Sequence, residues 1–479
     1  MSQRMVPLVV GLNGTLIKSD SLVEGLITTV LHNPAAIIPL LVALIKGRSA
    51  LKAELTRLGA GRVASLPVRQ DLLDFLRAEK RRGREVHLAT ASDQSLAESV
   101  AGRVGVFDSV EGSRNGVNLK GRRKLERLRE RFPDGFAYAG RYRSDLLIWR
   151  NAAAVVLVGA SNMTRRAALR LGRPIEGEFP TQKAGPGQWL RAIRLHQWSK
   201  NLLLAVPLVL AHKYNEAAAV QTMLLGILAM CLVASGTYLV NDLSDLDADR
   251  AHDTKSARPI ARGDIGPGTA LLAAVLLIGA GLAIGSSIST AFLGLLALYI
   301  VMTFSYSLYF KSVAMFDVFM LGSLYTLRIF MGMVLLELAP APWLLVFSLF
   351  FFFSLSMAKR QGEIVRFARK GPAPDEFIKG RGYKVADAPL VLAFGVSAGV
   401  AAVLILFLYI VNDAYPADSY SNPGWLWLIG FLVFLWTSRI WLLSHRGELA
   451  DDPVAFAVRD PLSWLLGGIV FGVFALAVL

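Results

Sequence analysis

The sequence predicts two folds in one chain: an N-terminal α/β domain of Rossmann type over residues 1–185, then an all-α polytopic membrane domain over residues 186–479 with about nine transmembrane helices. Three observations carry this prediction. The chain is 54% hydrophobic with a mean hydropathy of +0.47, which neither a disordered chain nor a soluble nucleic-acid binder reaches. It nevertheless holds 51 Lys+Arg against 36 Asp+Glu, a net charge of +15. That charge gathers in the first ~190 residues and in short loops between long apolar runs, as in a membrane protein with a charged domain on one side. The single cysteine, Cys231, sits inside an apolar run, which excludes disulfides and cysteine metal sites.

In the N-terminal part, β-like runs recur at Val6–Leu12, Glu85–Ala91, Val104–Val110, Phe136–Ala139 and Ala153–Val158 with helical stretches between them, the alternation of a doubly wound sheet. Residues 1–10 lack the long apolar core and small-residue cleavage site of a secretory signal, so this part is expected in the cytosol. Leu26–Ile45 is apolar but interrupted by His32-Asn33-Pro34, and a cap helix or interfacial element is expected there rather than a span. Gly11-Leu-Asn-Gly-Thr-Leu16 follows the first strand, Thr90-Ala-Ser92 ends the second, Lys124 lies in a basic helix, and Gly140-Arg-Tyr-Arg-Ser-Asp145 follows the fourth. In this order the four stations resemble the haloacid-dehalogenase (HAD) superfamily over roughly residues 5–175. The resemblance implies a nucleophilic Asp and an acid Asp where this chain has Gly11 and Asn13, and a magnesium-binding carboxylate where it has Arg141. Glycine has no nucleophile and asparagine delivers no proton, so a phosphatase-inactive scaffold or regulatory domain is expected, open to a partner protein or a second copy. Removing residues 1–185 should then spare the chemistry of the membrane part.

Apolar segments of spanning or near-spanning length lie at about 201–213, 217–239, 267–286, 288–310, 315–337, 341–358, 387–412, 424–444 and 462–479. Alternate loops hold the cations, among them Lys255, Arg258 and Arg262, then Lys311, then Lys359, Arg360, Arg369 and Arg381, then Arg446 and Arg459. The positive-inside rule reads this as an integral membrane protein of bacterial inner-membrane type with its N-terminus inside and its C-terminus outside.

The chemistry-bearing residues share the cytosolic side. Asn241, Asp245 and Asp249 are spaced by four and stack on one face of a helix, with Asp242 on the flank. Like charges on one stripe need a cation, and magnesium is the natural one, held by carboxylates and substrate phosphates. Lys255, Arg258 and Arg262 follow, suited to an anionic donor. Asn-Asp-x-x-Asp-x-x-x-Asp followed by Arg-Pro-Ile-x-x-Gly resembles the first signature of the UbiA superfamily of intramembrane prenyltransferases, which implies nine helices and a site open to the cytosol. Tyr306 and Lys311 resemble that family's Tyr/Lys signature, with Asp317 and Arg328 on the next helix and the pair Lys200-Asn201 opening the first segment. The resemblance implies a catalytic group of Asp245, Asp249, Tyr306 and Lys311, and a metal set of Asn241, Asp242, Asp245 and Asp249.

Where aromatic prenyltransferases of this superfamily carry a second Asp-x-x-x-Asp, this chain has Lys359-Arg360-Gln-Gly-Glu363. With Trp198-Ser-Lys-Asn201 and Arg381-Gly-Tyr383, that swap resembles the decaprenyl-phosphate phosphoribosyltransferase branch. The branch implies transfer of a 5-phosphoribosyl group from 5-phosphoribosyl diphosphate (PRPP) to a polyprenyl phosphate. The implied substrate-binding residues are Lys200, Asn201, Lys255, Arg258, Arg262, Arg328, Lys359, Arg360, Glu363, Arg381 and Tyr383. Prenyl transfer to an aromatic or other small acceptor is the alternative; for a transporter or lipid carrier the sequence offers nothing like the paired broken helices at the bilayer midplane that such a protein uses, and its charged groups cluster at one face. For the N-terminal part the expected outcome is plain: residues 1–185, assayed with magnesium on a generic phosphomonoester, show no turnover above background, and robust turnover overturns the inactive reading.

Overall fold

In the computed structural model, residues 5–58, 66–114, 117–181, 184–378, 380–415, 420–449 and 453–479 are described. Six strands pair in parallel: β1 Leu8–Val10, β2 Val86–Asp93, β3 Ser109–Ser113, β4 Ala137–Gly140, β5 Ala154–Val158 and β6 Ile175–Phe179, in the order β3-β2-β1-β4-β5-β6. Leu8 lies opposite both Val86 and Ala137, so β1 is central and the strand order reverses beside it. Every residue of β1 and β5 is buried, as in a parallel sheet covered on both faces. Leu72, Leu76, Ala97 and Val100 pack one face with Leu8 and Val10; Leu125, Leu128, Ile148 and Trp149 pack the other with Val9 and Tyr138.

Two boundaries in this part differ from expectation. Val104 closes the helix Gln94–Val104, Gly105 takes a left-handed φ of 70° as its cap, and the strand begins only at Ser109. Strand β6, Ile-Glu-Gly-Glu-Phe, escapes notice because two of its five residues are glutamates; Glu176 reaches the buried Arg84 at 2.7 Å. Leu26–Ile45 is divided between the helices Ser21–His32 and Ile37–Ile45 with a 3-10 turn at Pro34–Ala36. Pro34 has no N–H and holds Asn33 out of helical geometry, so neither piece approaches the ~20 residues of a span.

Eight helices among the described residues are long and apolar enough to cross a membrane: Ala217–Ser244, Pro267–Ile288, Thr290–Leu308, Phe316–Leu335, Pro342–Ala368, Val385–Asn412, Pro423–His445 and Pro461–Val478. The expected first span at 201–213 is absent from that set. Its residues form a 3-10 helix, Leu195–Ala205, and a five-residue α-helix, Val206–Leu210. Divided between a 3-10 stretch that holds the polar Lys200 and Asn201 and a five-residue helix that holds the donor-less Pro207, it forms no continuous α-helix of spanning length.

The chain divides into two compact units, one of residues 1–193 with 238–275 and one of residues 194–237 with 276–479. In the second unit, Phe316–Leu335 and Pro342–Ala368 approach so closely at Gly322 that a Cβ there would stand 3.2 Å from the Phe353 nitrogen and 3.4 Å from the Leu349 carbonyl oxygen. Backbone atoms cannot step aside, so Gly322→Leu should separate the two helices and cost about 1–3 kcal/mol. A lowered melting temperature of the purified protein in detergent checks this, and an unchanged one refutes the close approach.

Candidate active site

The helix Ala217–Ser244, whose last turns from residue 238 on belong to the first unit, passes through Asp245 into the short helix Leu246–Arg250. The Asp245 N–H donates to Asn241 O at 2.9 Å and the Asp249 N–H to Asp245 O at 2.8 Å, so helical spacing survives the break. The Asn241 amide donates to the Asp245 carboxylate at 3.3 Å. The carboxylates that converge, however, are Asp242 and Asp249, seven residues apart and therefore on one face. Both are buried, and both accept from one nitrogen, Nη1 of Arg258, at 3.0 and 2.5 Å. Burial pushes the Asp249 carboxyl above the usual range, and the Arg258 charge works in the opposite direction. Lys255 and Arg262 stand exposed on the same loop, and Arg262 faces Asp264 at 3.5 Å.

Two carboxylate oxygens aimed at one point suit a hard cation. Among the described residues no group of three or more His, Cys, Asp or Glu side chains is gathered for a metal. In this structure Nη1 of Arg258 stands at that point, so the two carboxylates fit only an ion that takes one or two of them and completes its shell with substrate oxygens, as magnesium does.

The second unit holds two further clusters. Arg360 is 1% exposed on the helix Pro342–Ala368. Its Nε donates to Asp317 at 2.6 Å, its Nη1 to Glu363, and its Nη2 reaches the Tyr306 hydroxyl at 3.5 Å. The Tyr383 hydroxyl donates to the other Asp317 oxygen at 2.7 Å and accepts from the Met315 N–H at 2.8 Å. Burial and the Asp317 charge push the Tyr383 phenol up. Arg381 lies 3.8 Å from Glu363 and donates to the Tyr306 hydroxyl at 3.4 Å and to the Lys311 carbonyl at 3.5 Å. Arg360 is thus committed to carboxylates, while Lys359 beside it is half-buried.

The other cluster centres on Arg328, eleven residues along the same helix as Asp317, about three turns and ~16 Å away on the same face. Buried Arg328 donates to Asn201 at 3.0 Å, to Tyr299 at 3.1 Å and to the Leu324 carbonyl at 2.5 Å. Its guanidinium lies 5.0 Å from the Tyr299 ring centroid and 5.6 Å from that of Tyr325, and Lys200 lies 5.5 Å from the same Tyr325 ring. Among the described residues, no carboxylate pairs with Arg328. The structure therefore brings together Tyr306, Lys311, Arg360, Glu363, Arg381 and Tyr383 in one group, Lys200, Asn201 and Arg328 in another, and Asn241, Asp242, Asp245, Asp249 and Arg258 in the first unit. Sequence reasoning placed Asp317 on its helix without a role, because a lone aspartate in an apolar run carries no signal of its arginine partner forty-three residues on.

In the α/β part, the stations that the sequence singled out line a cleft of about 440 Å3 that includes Gly11, Asn13, Lys124, Tyr138 and Asp145. Their polar groups are already occupied. Lys124 donates to the Ala89 carbonyl and the Tyr138 hydroxyl, both at 3.1 Å, and burial pushes its ammonium down. Asp145 accepts from the N–H groups of Arg141 and Tyr142, and Asn13 donates to Ser92.

Apolar helices of spanning length that carry buried, paired charges define a polytopic membrane protein with an ionic site. Residues 202–457 match the UbiA prenyltransferase family, and the chain belongs to that family as an integral membrane transferase of the prenyl type. It is 40% identical to the uncharacterized protein y4nM of Sinorhizobium fredii, across 99% of this chain and 91% of that one. The nodulation protein NoeC of Azorhizobium caulinodans is 31% identical over 59% of this chain and 92% of its own. The decaprenyl-phosphate phosphoribosyltransferase of Mycobacterium tuberculosis is 30% identical over 58% of this chain and 89% of its own.

The Arg360 cluster yields a ranking. Asp317→Asn leaves a buried guanidinium short of a carboxylate and should cost about 3–5 kcal/mol, whereas Tyr383→Phe removes only a neutral donor at about 1 kcal/mol. Melting temperatures in detergent test the order, and equal losses contradict it.

Proposed function

We propose that the protein moves a 5-phosphoribosyl group from PRPP to a polyprenyl phosphate and releases pyrophosphate. The observation that carries this reading is the fate of the second acidic station. Glu363 and the nearby Asp317 are both held by Arg360 rather than left to bind a second metal on a prenyl diphosphate. Such a station suits a phosphate met directly by cations, with Lys359 and Arg381 at its edge. The relative from M. tuberculosis, named for phosphoribosyl transfer, supports the same branch.

A lipid phosphate oxygen is already anionic. It attacks the ribose C1 as the bond from C1 to the pyrophosphate oxygen breaks, so no general base is needed and no proton moves. Asn241, Asp242, Asp245 and Asp249 would hold magnesium, which when bound supplies charge neutralisation at the departing pyrophosphate. Within the first unit, Arg258, Lys255 and Arg262 add positive charge beside those carboxylates; within the second, Tyr306, Lys311 and Arg381 form a polar group of their own suited to a phosphate. Arg328, with Lys200 and Asn201, offers a guanidinium to an anionic headgroup. The α/β part is read as a phosphatase-inactive HAD-like domain on the cytosolic side, where the basic loops also lie. By parity the C-terminus is outside only if Leu195–Leu210 completes a ninth crossing.

Purified protein incubated with magnesium, radiolabelled PRPP and polyprenyl phosphate should place label in the lipid phase, and chelation by EDTA should stop it. Asp245→Asn and Asp249→Asn should each lower transfer by about 100-fold or more with elution on size exclusion unchanged. An unlabelled lipid phase, with a prenyl diphosphate consumed alongside an aromatic acceptor, would replace this reading with prenyl transfer.

A further inference from the structure

The loop that follows Asp249 is not held by membrane helices alone. Asp20 caps the helix Ser21–His32, accepting from the N–H groups of Leu22 at 3.0 Å and Val23 at 3.3 Å, and so presents Glu24 from its first turn. Glu24 meets Arg250 across 226 residues of sequence: Nη1 of Arg250 donates to one carboxylate oxygen and Nη2 to the other at 3.1 Å, a bidentate fork. Both side chains are less than a tenth exposed. The third nitrogen of Arg250, Nε, donates to the Ala261 carbonyl at 3.0 Å. One guanidinium thereby ties the end of the Asp249 helix to the far side of the loop that carries Lys255, Arg258 and Arg262. The same stretch of the α/β part touches the loop again: Lys18 lies 3.7 Å from Asp264, and Gly263, with a left-handed φ of 75°, leaves room for Lys18 and Pro67 where a Cβ would stand 3.1 and 3.2 Å from them.

We propose that Glu24 is a positioning residue of the transferase: through Arg250 it fixes the 251–265 loop so that Arg258 stands opposite Asp242 and Asp249. Without Glu24, Arg250 is a buried cation with only a carbonyl partner, and the cheapest relief is for the loop to open toward water. The α/β part is then more than a scaffold. Its removal takes away one jaw of the clamp, contrary to the expectation that residues 1–185 are dispensable for chemistry. The kinetic consequence rests on the phosphoribosyl reading; the ordering of the loop does not.

The test uses full-length protein in detergent and four forms: wild type, Glu24→Gln, Arg250→Glu, and the double exchange Glu24→Arg with Arg250→Glu. Hydrogen exchange should show amides of 251–265 at least about tenfold faster in Glu24→Gln while those of Phe316–Leu335 keep wild-type rates, the signature of local opening. With radiolabelled PRPP, Glu24→Gln should raise KM by about tenfold or more with a smaller change in kcat, and the double exchange should recover a substantial part of what Arg250→Glu loses. Wild-type exchange in the Glu24→Gln loop overturns the clamp, and so does faster exchange accompanied by unchanged kinetics. If wild type itself transfers nothing from PRPP, the phosphoribosyl reading fails, and the exchange measurement, with the affinity for magnesium pyrophosphate as its second readout, still decides the clamp.

Discussion

The second unit depends on a full positive charge buried within a helix of spanning length. Moving a guanidinium out of water costs several kcal/mol even after relaxation. Arg360 is tolerable only because Asp317 and Glu363 lie within reach, and Asp317 is shared with Tyr383, whose hydroxyl in turn accepts from the backbone at Met315. A chain of four groups thus registers two helices and the 380–384 loop against one another. The glycine contact at Gly322 serves the same registration from the apolar side, since it brings the two helices near enough for Asp317 and Arg360 to meet.

Much of this was legible in the sequence, for identifiable reasons. Hydropathy over ~20 residues is a strong physical signal, and eight of the nine expected spans are long apolar helices. The ninth, the near-spanning stretch 201–213, is apolar in composition, but its backbone is divided between a 3-10 stretch and a five-residue helix, which hydropathy does not register. In the sheet, the strands buried on both faces announced themselves as runs of Val, Leu and Ala, whereas the edge strand β6, with Glu176 and Glu178, resembled a loop. Interruption at Asn33-Pro34 was readable because proline acts locally.

The candidate site was legible as composition but not as pairing. A spacing of four placed Asn241, Asp245 and Asp249 on one stripe, and the backbone bonds retain that spacing. Yet the convergence on Arg258 involves Asp242 and Asp249, because the seven-residue interval faces the loop that returns from Arg258. Partnerships such as Asp317 with Arg360, or Glu24 with Arg250, join residues far apart in sequence. No local pattern encodes them; they emerge only when burial forces each charge to find an opposite.

Arg328 stands apart from these pairs. It sits past the middle of Phe316–Leu335, and its partners among the described residues are an amide, a phenol and a carbonyl, so that among them its charge is solvated by dipoles rather than cancelled. An anion docking against it would carry its charge part of the way through the electric field of an energised membrane. Moving one elementary charge across the full potential is worth about 2.3 kcal/mol per 100 mV. Were an anion held at that depth, its occupancy would depend on membrane voltage, and the same protein would hold it differently in a respiring cell and in a depolarised one.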